Sequence, residues 1–173
     1  GGYQSFLSGL TERAHIYFNK HVTEIDGEHK QIFFSDGTSV PYQTAFSSIP
    51  LTEMGRIVKD IPAQVVAAID ELNYTGVALV SMGLRKEIQL KNIWFYIYDS
   101  DILAARVYSP SLKSPDNAPL DCSSLQFEIY YNGKSVPPPR ERCIQNTILA
   151  LERMAASNAL EINVDKDILF MDY

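Results

Sequence analysis

The chain has 173 residues, of which 46% are hydrophobic and 21% charged, with a net charge of −6. A chain of this size suits one domain or slightly more, and it can remove about 70% of its unfolded surface from water without staples or metals. The acidic balance excludes a nucleic-acid surface, which needs clustered Lys and Arg, and no apolar run reaches the roughly 18 residues of a membrane span.

In chain order, Tyr3, Phe6, Leu7 and Leu10 recur at helical spacing and predict a helix over residues 3–13. His15-Ile16-Tyr17-Phe18 is a short strand candidate. Val22 to Ile25 and Gln31 to Phe34 flank Asp26-Gly27, a turn pair that tolerates positive φ, and Asp36-Gly37 precedes Thr38-Ser39-Val40. Together these predict a three-stranded meander. Thr44 to Ile49 reads as a strand stopped by Pro50. Two short helices follow, one from about Glu53 to Val58, the other opening at Pro62 and presenting Val65, Val66, Ile69 and Leu72.

The second half turns to sheet. Tyr74 to Leu84, Ile93 to Tyr98, Ala105 to Tyr108 and Leu125 to Tyr131 are strand candidates rich in β-branched and aromatic residues. Ser109 to Asp121, with Pro110, Pro115 and Pro119, reads as a long connecting loop. Pro137-Pro138-Pro139 leads into a helix whose stripe is Cys143, Ile144, Thr147, Ile148, Leu151, Met154 and Ala155, and Ile168 to Met171 is a last strand candidate. The strands do not alternate with helices, so the expected class is α+β, a largely antiparallel sheet with a few covering helices.

Catalytic signatures are missing. The sequence has no G-x-G-x-x-G, P-loop or G-x-S-x-G. His15, His21 and His29 lack metal-ligand spacing, so no metal site is expected. Cys122 and Cys143 show no framework spacing and are expected as free thiols in a reducing, cytoplasmic setting. Trp94, Tyr96 and Tyr98 stand at period two and share one strand face, with Arg106 on the next strand candidate. Such a face suits a planar or anionic ligand, because Arg supplies a planar fork of donors and Tyr and Trp supply flat faces with a polar edge. The same pattern also suits an aromatic face packed under a helix with Arg106 at its rim.

The opening Gly1-Gly2-Tyr3-Gln4-Ser5-Phe6-Leu7-Ser8-Gly9-Leu10, then Ile16-x-x-Asn19-x-x-Val22-x-x-Ile25, Ile32-Phe33-Phe34, Asp36-Gly37, Tyr42-Gln43 and Ser47-Ser48-Ile49-Pro50 resemble a stretch of flavin-containing amine oxidases and protoporphyrinogen oxidase-like proteins. Trp94 to Tyr98, Arg106-Val107-Tyr108-Ser109-Pro110 and Ser123 to Glu128 resemble the substrate-domain strands of protoporphyrinogen oxidase-like and UDP-galactopyranose mutase-like proteins.

The resemblance implies residues 1–50 as part of a flavin domain and 51–173 as a substrate-binding region like that of FAD-linked oxidoreductases. It implies FAD in the parent protein, flanked by Val22, Ile49 and Pro50, and a small-molecule substrate lined by Trp94, Tyr96 and Arg106. No side chain here is required as a general acid or base. The pyrophosphate-binding turn of the family is missing, and the first residue is Gly. An internal fragment is therefore expected, one that binds no FAD tightly, works with the remaining flavin-binding segments of the parent, and forms homo-oligomers through surface built to be covered. The leading expectation is the substrate-binding portion of an FAD-dependent oxidoreductase. The alternatives are part of a flavin-dependent sugar-nucleotide mutase, whose Arg and Tyr hold the diphosphate, and a non-enzymatic binding or assembly module.

Overall fold

The computed structural model describes residues 2–173, with side chains from Ser5 onward. The elements run α1 (Gly2–Thr11), β1 (Val22–Asp26), β2 (Gln31–Phe34), β3 (Ser39–Pro41), α2 (Leu51–Ile57), α3 (Ala63–Glu71), β4 (Thr75–Leu84), β5 (Trp94–Tyr96) and β6 (Ala104–Tyr108). They continue with α4 (Pro110–Lys113), β7 (Ser123–Asn132), α5 (Arg140–Ala156), α6 (Val164–Asp167) and β8 (Ile168–Asp172). Two antiparallel sheets and several helices make the class α+β, as the sequence predicts.

The chain divides into two compact units, one of Thr11–Leu72 and one joining residues up to Leu10 with Asn73–Tyr173. The break falls after Leu72, whereas the sequence suggested a division at residue 50. The reason lies in α2, which is tied to the meander. Val58 bridges Ile25, the Lys59 N–H donates to the Ile25 carbonyl at 3.0 Å, and the Lys59 ammonium meets the Asp26 carboxylate at 2.9 Å.

In the smaller unit β1, β2 and β3 form the expected meander. Asp26 closes its first turn by accepting the His29 N–H at 2.8 Å. These partners, the His29 amide first and Lys59 next, hold the Asp26 carboxyl well below the usual carboxylate range. Asp26 is the one fully buried residue described in this unit, so its apolar side chains stay half-buried or exposed. Helices α2 and α3 approach closely at Gly55, where an added Cβ would lie 2.5 Å from Ile69 Cδ1.

Two strand expectations in this unit fail. His15 to Phe18 forms no strand, and Tyr17 and Phe18 remain exposed. Thr44 to Ile49 forms none either. The Ser47 hydroxyl accepts the Ile49 N–H at 3.1 Å, a local turn that competes with a ladder, and Phe46 is 97% exposed.

The larger unit is a five-stranded antiparallel sheet in the order β5-β6-β7-β4-β8. Period-two alternation splits its residues between two faces. One face carries Val80, Met82 and Leu84 from β4, Val107 from β6, and Leu125, Phe127 and Ile129 from β7, all buried. They join one core with Cys143, Ala150, Leu151 and Met154 of α5. Each fully buried side chain of this size contributes about 1.5–3 kcal/mol. Both cysteines are free, and burial pushes the Cys143 thiol pKa up.

Helix α5 also fixes the β5–β6 connection. Asn146 accepts the Leu103 N–H at 2.6 Å and donates to the Asp101 carbonyl at 2.9 Å, while Arg153 pairs with Asp101. The 109–121 segment is more ordered than a plain loop. Ser109 caps α4 by accepting the Leu112 N–H at 3.3 Å and donates to the Ser124 carbonyl at 2.8 Å, and a 3₁₀ turn follows at Pro115–Asn117. No helix among the described residues is long and apolar enough to cross a membrane.

Candidate functional site

The second face of the large sheet is polar and aromatic. Two rows cross it. Tyr96 pairs with Arg106, which pairs with Glu128, which pairs with Leu79; Trp94 pairs with Tyr108, then Gln126, then Ser81. Trp94 and Tyr96 are 56% and 54% exposed, while Phe95 and Ile97 between and beyond them pack toward the core. The alternation read from the sequence therefore holds, but the face is open rather than packed under a helix.

Arg106 reaches this face because of a β-bulge. Ala104 pairs with Ile129 and Arg106 with Glu128, so two steps on β6 answer one on β7. Ala104 faces the core. On a regular strand Arg106 would share that side, because residues two apart share a face. The bulge turns its guanidinium over to the open side.

The guanidinium then meets Glu128 in a two-pronged contact, Nε to Oε2 at 2.9 Å and Nη2 to Oε1 at 2.8 Å. Tyr130 donates its hydroxyl to Glu128 Oε2. Glu128 is only 7% exposed, so its charge is matched by geometry that few pairs other than Arg and a carboxylate provide. The Glu128 bond, aided by the Tyr96 hydroxyl, raises the Arg106 pKa beyond its ordinary value. The hydrogen bond to Glu128, with burial second, also raises that of Tyr130. Arg106 stays a cation and Tyr130 stays protonated.

These groups line a cavity of about 560 Å³. That lies within the range of small-molecule sites. Val77 and Leu79 of β4 give it an apolar side, Trp94 and Tyr108 an aromatic one, and Arg106, Glu128 and Tyr130 its polar floor. Lys113 of α4, the helix that Ser109 caps, also lines it. A second hollow, of about 450 Å³, lies behind the 115–123 loop and includes Asp116 and Cys122.

Of the residues expected at a substrate, Trp94 and Arg106 line the first cavity, and Tyr96 stands beside Arg106 across the β5–β6 ladder. Sequence reasoning missed Glu128 and Tyr130. Their signal was present in β7, where Gln126, Glu128 and Tyr130 alternate with Leu125, Phe127 and Ile129. The residues expected beside a flavin lie in the smaller unit. Val22 opens β1 opposite Phe34. The Ile49 N–H is taken by Ser47, Pro50 has none, and the Pro50 carbonyl accepts from Glu53 and Met54 at 2.9 Å each. Ile49 and Pro50 thus offer no amide donor to a cofactor, and with Val22 they supply no cation for a pyrophosphate.

No protein-family model and no curated protein matches the sequence. Solved structures do. A reduced UDP-galactopyranose mutase matches with a TM-score of 0.77 and 22% identity over 98% of this chain. The PF1083 protein from Pyrococcus furiosus matches with a TM-score of 0.63 and 13% identity over 88%. The chain spans 37% and 36% of the lengths of those two proteins. It therefore has the fold of a portion of UDP-galactopyranose mutase. At this identity the likeness is one of architecture.

Proposed function

We propose that this chain is the substrate-binding portion of a flavin-dependent enzyme of the UDP-galactopyranose mutase type, with the open sheet face as its substrate wall. The observation that carries this reading is the open aromatic face itself. Trp94, Tyr96, Tyr108 and Tyr130 surround an Arg–carboxylate pair in a fold shared with the mutase over nearly the whole chain. Flat faces with polar edges orient a ring, and a rigid sheet keeps them in place.

In such a parent the flavin supplies the electron-rich centre for the chemistry, and the protein supplies binding, orientation and exclusion of water. The residues of this chain are assigned only the second task. FAD and the segments that hold it belong, in this reading, to the rest of the parent, because Val22, Ile49 and Pro50 supply neither a glycine-rich turn nor a charge for the pyrophosphate.

A second reading keeps the same wall and changes the substrate. The sequence resemblance of the first fifty residues to amine oxidases and protoporphyrinogen oxidase-like proteins favours an FAD-dependent oxidoreductase, for which the wall would take an amine or a planar apolar ring. The non-enzymatic module is the remaining alternative.

Trp94 is the single tryptophan, so its emission reports on the cavity alone. UDP-galactose should quench or shift that emission saturably, and Trp94→Phe should abolish the signal. FAD added to the same chain should show no tight binding. An unchanged spectrum with UDP-galactose, together with a saturable response to an amine or a porphyrinogen analogue, would transfer the reading to the oxidoreductase. Micromolar FAD affinity would show that the cofactor site has been placed in the wrong part of the parent.

A further inference from the structure

Two further rows complete the open face. Val77 pairs with Tyr130 and Thr75 with Asn132, so the face runs on along β7 past the first cavity. From Gln126 to Asn132 the strand advances six residues, about 20 Å at the rise of a β-strand. At the far end lies a shallow hollow of about 460 Å³, lined by Asn73, Tyr74, Thr75, Tyr130, Tyr131 and Asn132. Tyr130 lines both this hollow and the first cavity, and its bond to Glu128 holds the ring between them.

The two differ in chemistry. Arg106, Lys113 and Glu128 bring charge to the first cavity, and the contact with Glu128 uses Nε and Nη2 of Arg106 but not Nη1. Among the described residues, the far hollow is lined by no charged side chain. It offers two side-chain amides and a hydroxyl between tyrosine rings. The Asn132 amide has a fixed direction. Its Oδ1 accepts the Lys134 N–H at 2.9 Å, which leaves the Nδ2 hydrogens as donors. Glycines place two of the rings. An added Cβ at Gly133 would collide with the Tyr74 ring, and one at Gly76 with that of Tyr131. Each ring therefore rests on bare backbone. Directed donors between aromatic rings select a ligand by hydrogen-bond geometry rather than by charge.

We propose that Asn73, Thr75 and Asn132 form a second subsite, which takes a neutral ring bearing carbonyl or hydroxyl oxygens, and that a two-part ligand lies lengthwise along β7 with its ionic part over the first cavity. Asn132 is then a specificity-determining residue, whose Nδ2 donors meet an oxygen of that ring. For a nucleotide sugar the ring is the base or the sugar, two sources of one chemistry. This inference rests on the reading of the open face as a substrate wall.

The test follows the side-chain NH2 signals of Asn73 and Asn132 and the Trp94 indole N–H by NMR while UDP-galactose, uridine or methyl galactoside is added. UDP-galactose should shift the Trp94 and Asn132 signals along one saturation curve. One of the neutral rings should shift Asn132 saturably at millimolar concentration, uridine if the base sits there and methyl galactoside if the sugar does. Asn132→Ala should weaken that ring by about tenfold, the size of one lost hydrogen bond, read from the Asn73 signal. Thr75→Val should weaken it in the same direction. It keeps the shape of the strand residue and leaves the Lys134 turn intact, so it serves if Asn132→Ala fails to fold. Unchanged neutral-ring affinity in both variants would overturn the inference, as would no response of Asn73 and Asn132 to either neutral ring. If UDP-galactose shifts Trp94 but not Asn132, the second subsite falls and the substrate wall stands. If it shifts neither, both fall.

Discussion

Arg106 faces Glu128 directly across the β6–β7 ladder, and the bulge between Ala104 and Arg106 in β6 is what sets that register. The pair is half-exposed on the arginine side and nearly buried on the carboxylate side.

Unequal burial sets the order of effects in a substitution series. Arg106→Met should destabilise more than Arg106→Lys, because it leaves Glu128 buried with no cation, whereas lysine keeps the charge and loses the fork. The double variant Arg106→Met, Glu128→Leu should recover most of the loss, since the uncompensated carboxylate is gone. Chemical denaturation of the four proteins measures this. A double variant no better than Arg106→Met alone would mean that the pair does not act as a unit.

Thr147 offers a cleaner stability test. It is 1% exposed in α5, and its hydroxyl has no hydrogen-bond partner. Thr147→Val keeps the shape and removes the unpaired group, so the protein should gain about 1 kcal/mol. Phe127→Ala, in the same core, should instead cost about 3–5 kcal/mol. A destabilised Thr147→Val would reveal a partner for the hydroxyl in solution.

How much of this was legible beforehand varied with the number of partners a segment has. Strands β4 and β7 and helix α5 were readable because each buries a full face, and burial writes its period into the sequence. Strand candidates at His15 to Phe18 and Thr44 to Ile49 had suitable residues but no neighbouring strand to satisfy their backbone, so propensity alone misled. The short α6 was missed, although Asn163 accepts the Lys166 N–H at 3.1 Å and Asp167 accepts the Asn163 N–H at 2.7 Å, a reciprocal cap visible as Asn-x-x-x-Asp. The aromatic wall was found from period two. Its Glu128 partner was not, because the bulge that aligns Arg106 with it depends on β6 and β7 pairing across the Ser109 to Asp121 connection, and neither strand announces it separately.

The Asp26 cluster predicts an acid-side dependence. Its carboxyl pKa is depressed in the folded state, so its contribution to stability is fully present above the unfolded carboxylate value of about 4 and is lost as pH falls toward the folded value. Thermal melts from neutral pH down should therefore show Asp26→Asn less stable at neutral pH and less sensitive to acid below about pH 4. Parallel curves for the two proteins would contradict this.

Helix α1 leaves Phe6, Leu7 and Leu10 exposed, at 80%, 45% and 64%. Covering apolar surface stabilises by about 25 cal/mol per Å², less the entropy of association. The isolated chain should self-associate through α1, and Phe6→Ser with Leu10→Ser should shift it toward monomer. Sedimentation over a concentration series decides it, and a monomer at every concentration would refute the expectation.

Whether the open sheet face is a substrate wall can be read from amide and side-chain NMR shifts of the chain as UDP-galactose is added. Saturable shifts are expected at the Trp94 indole N–H, Arg106 Nε–H, Glu128 and Tyr130, with the amides of the core residues Val80, Phe127 and Leu151 little changed. Shifts centred instead on the second hollow, at Asp116 and Cys122, or no saturable shifts at all, would contradict it.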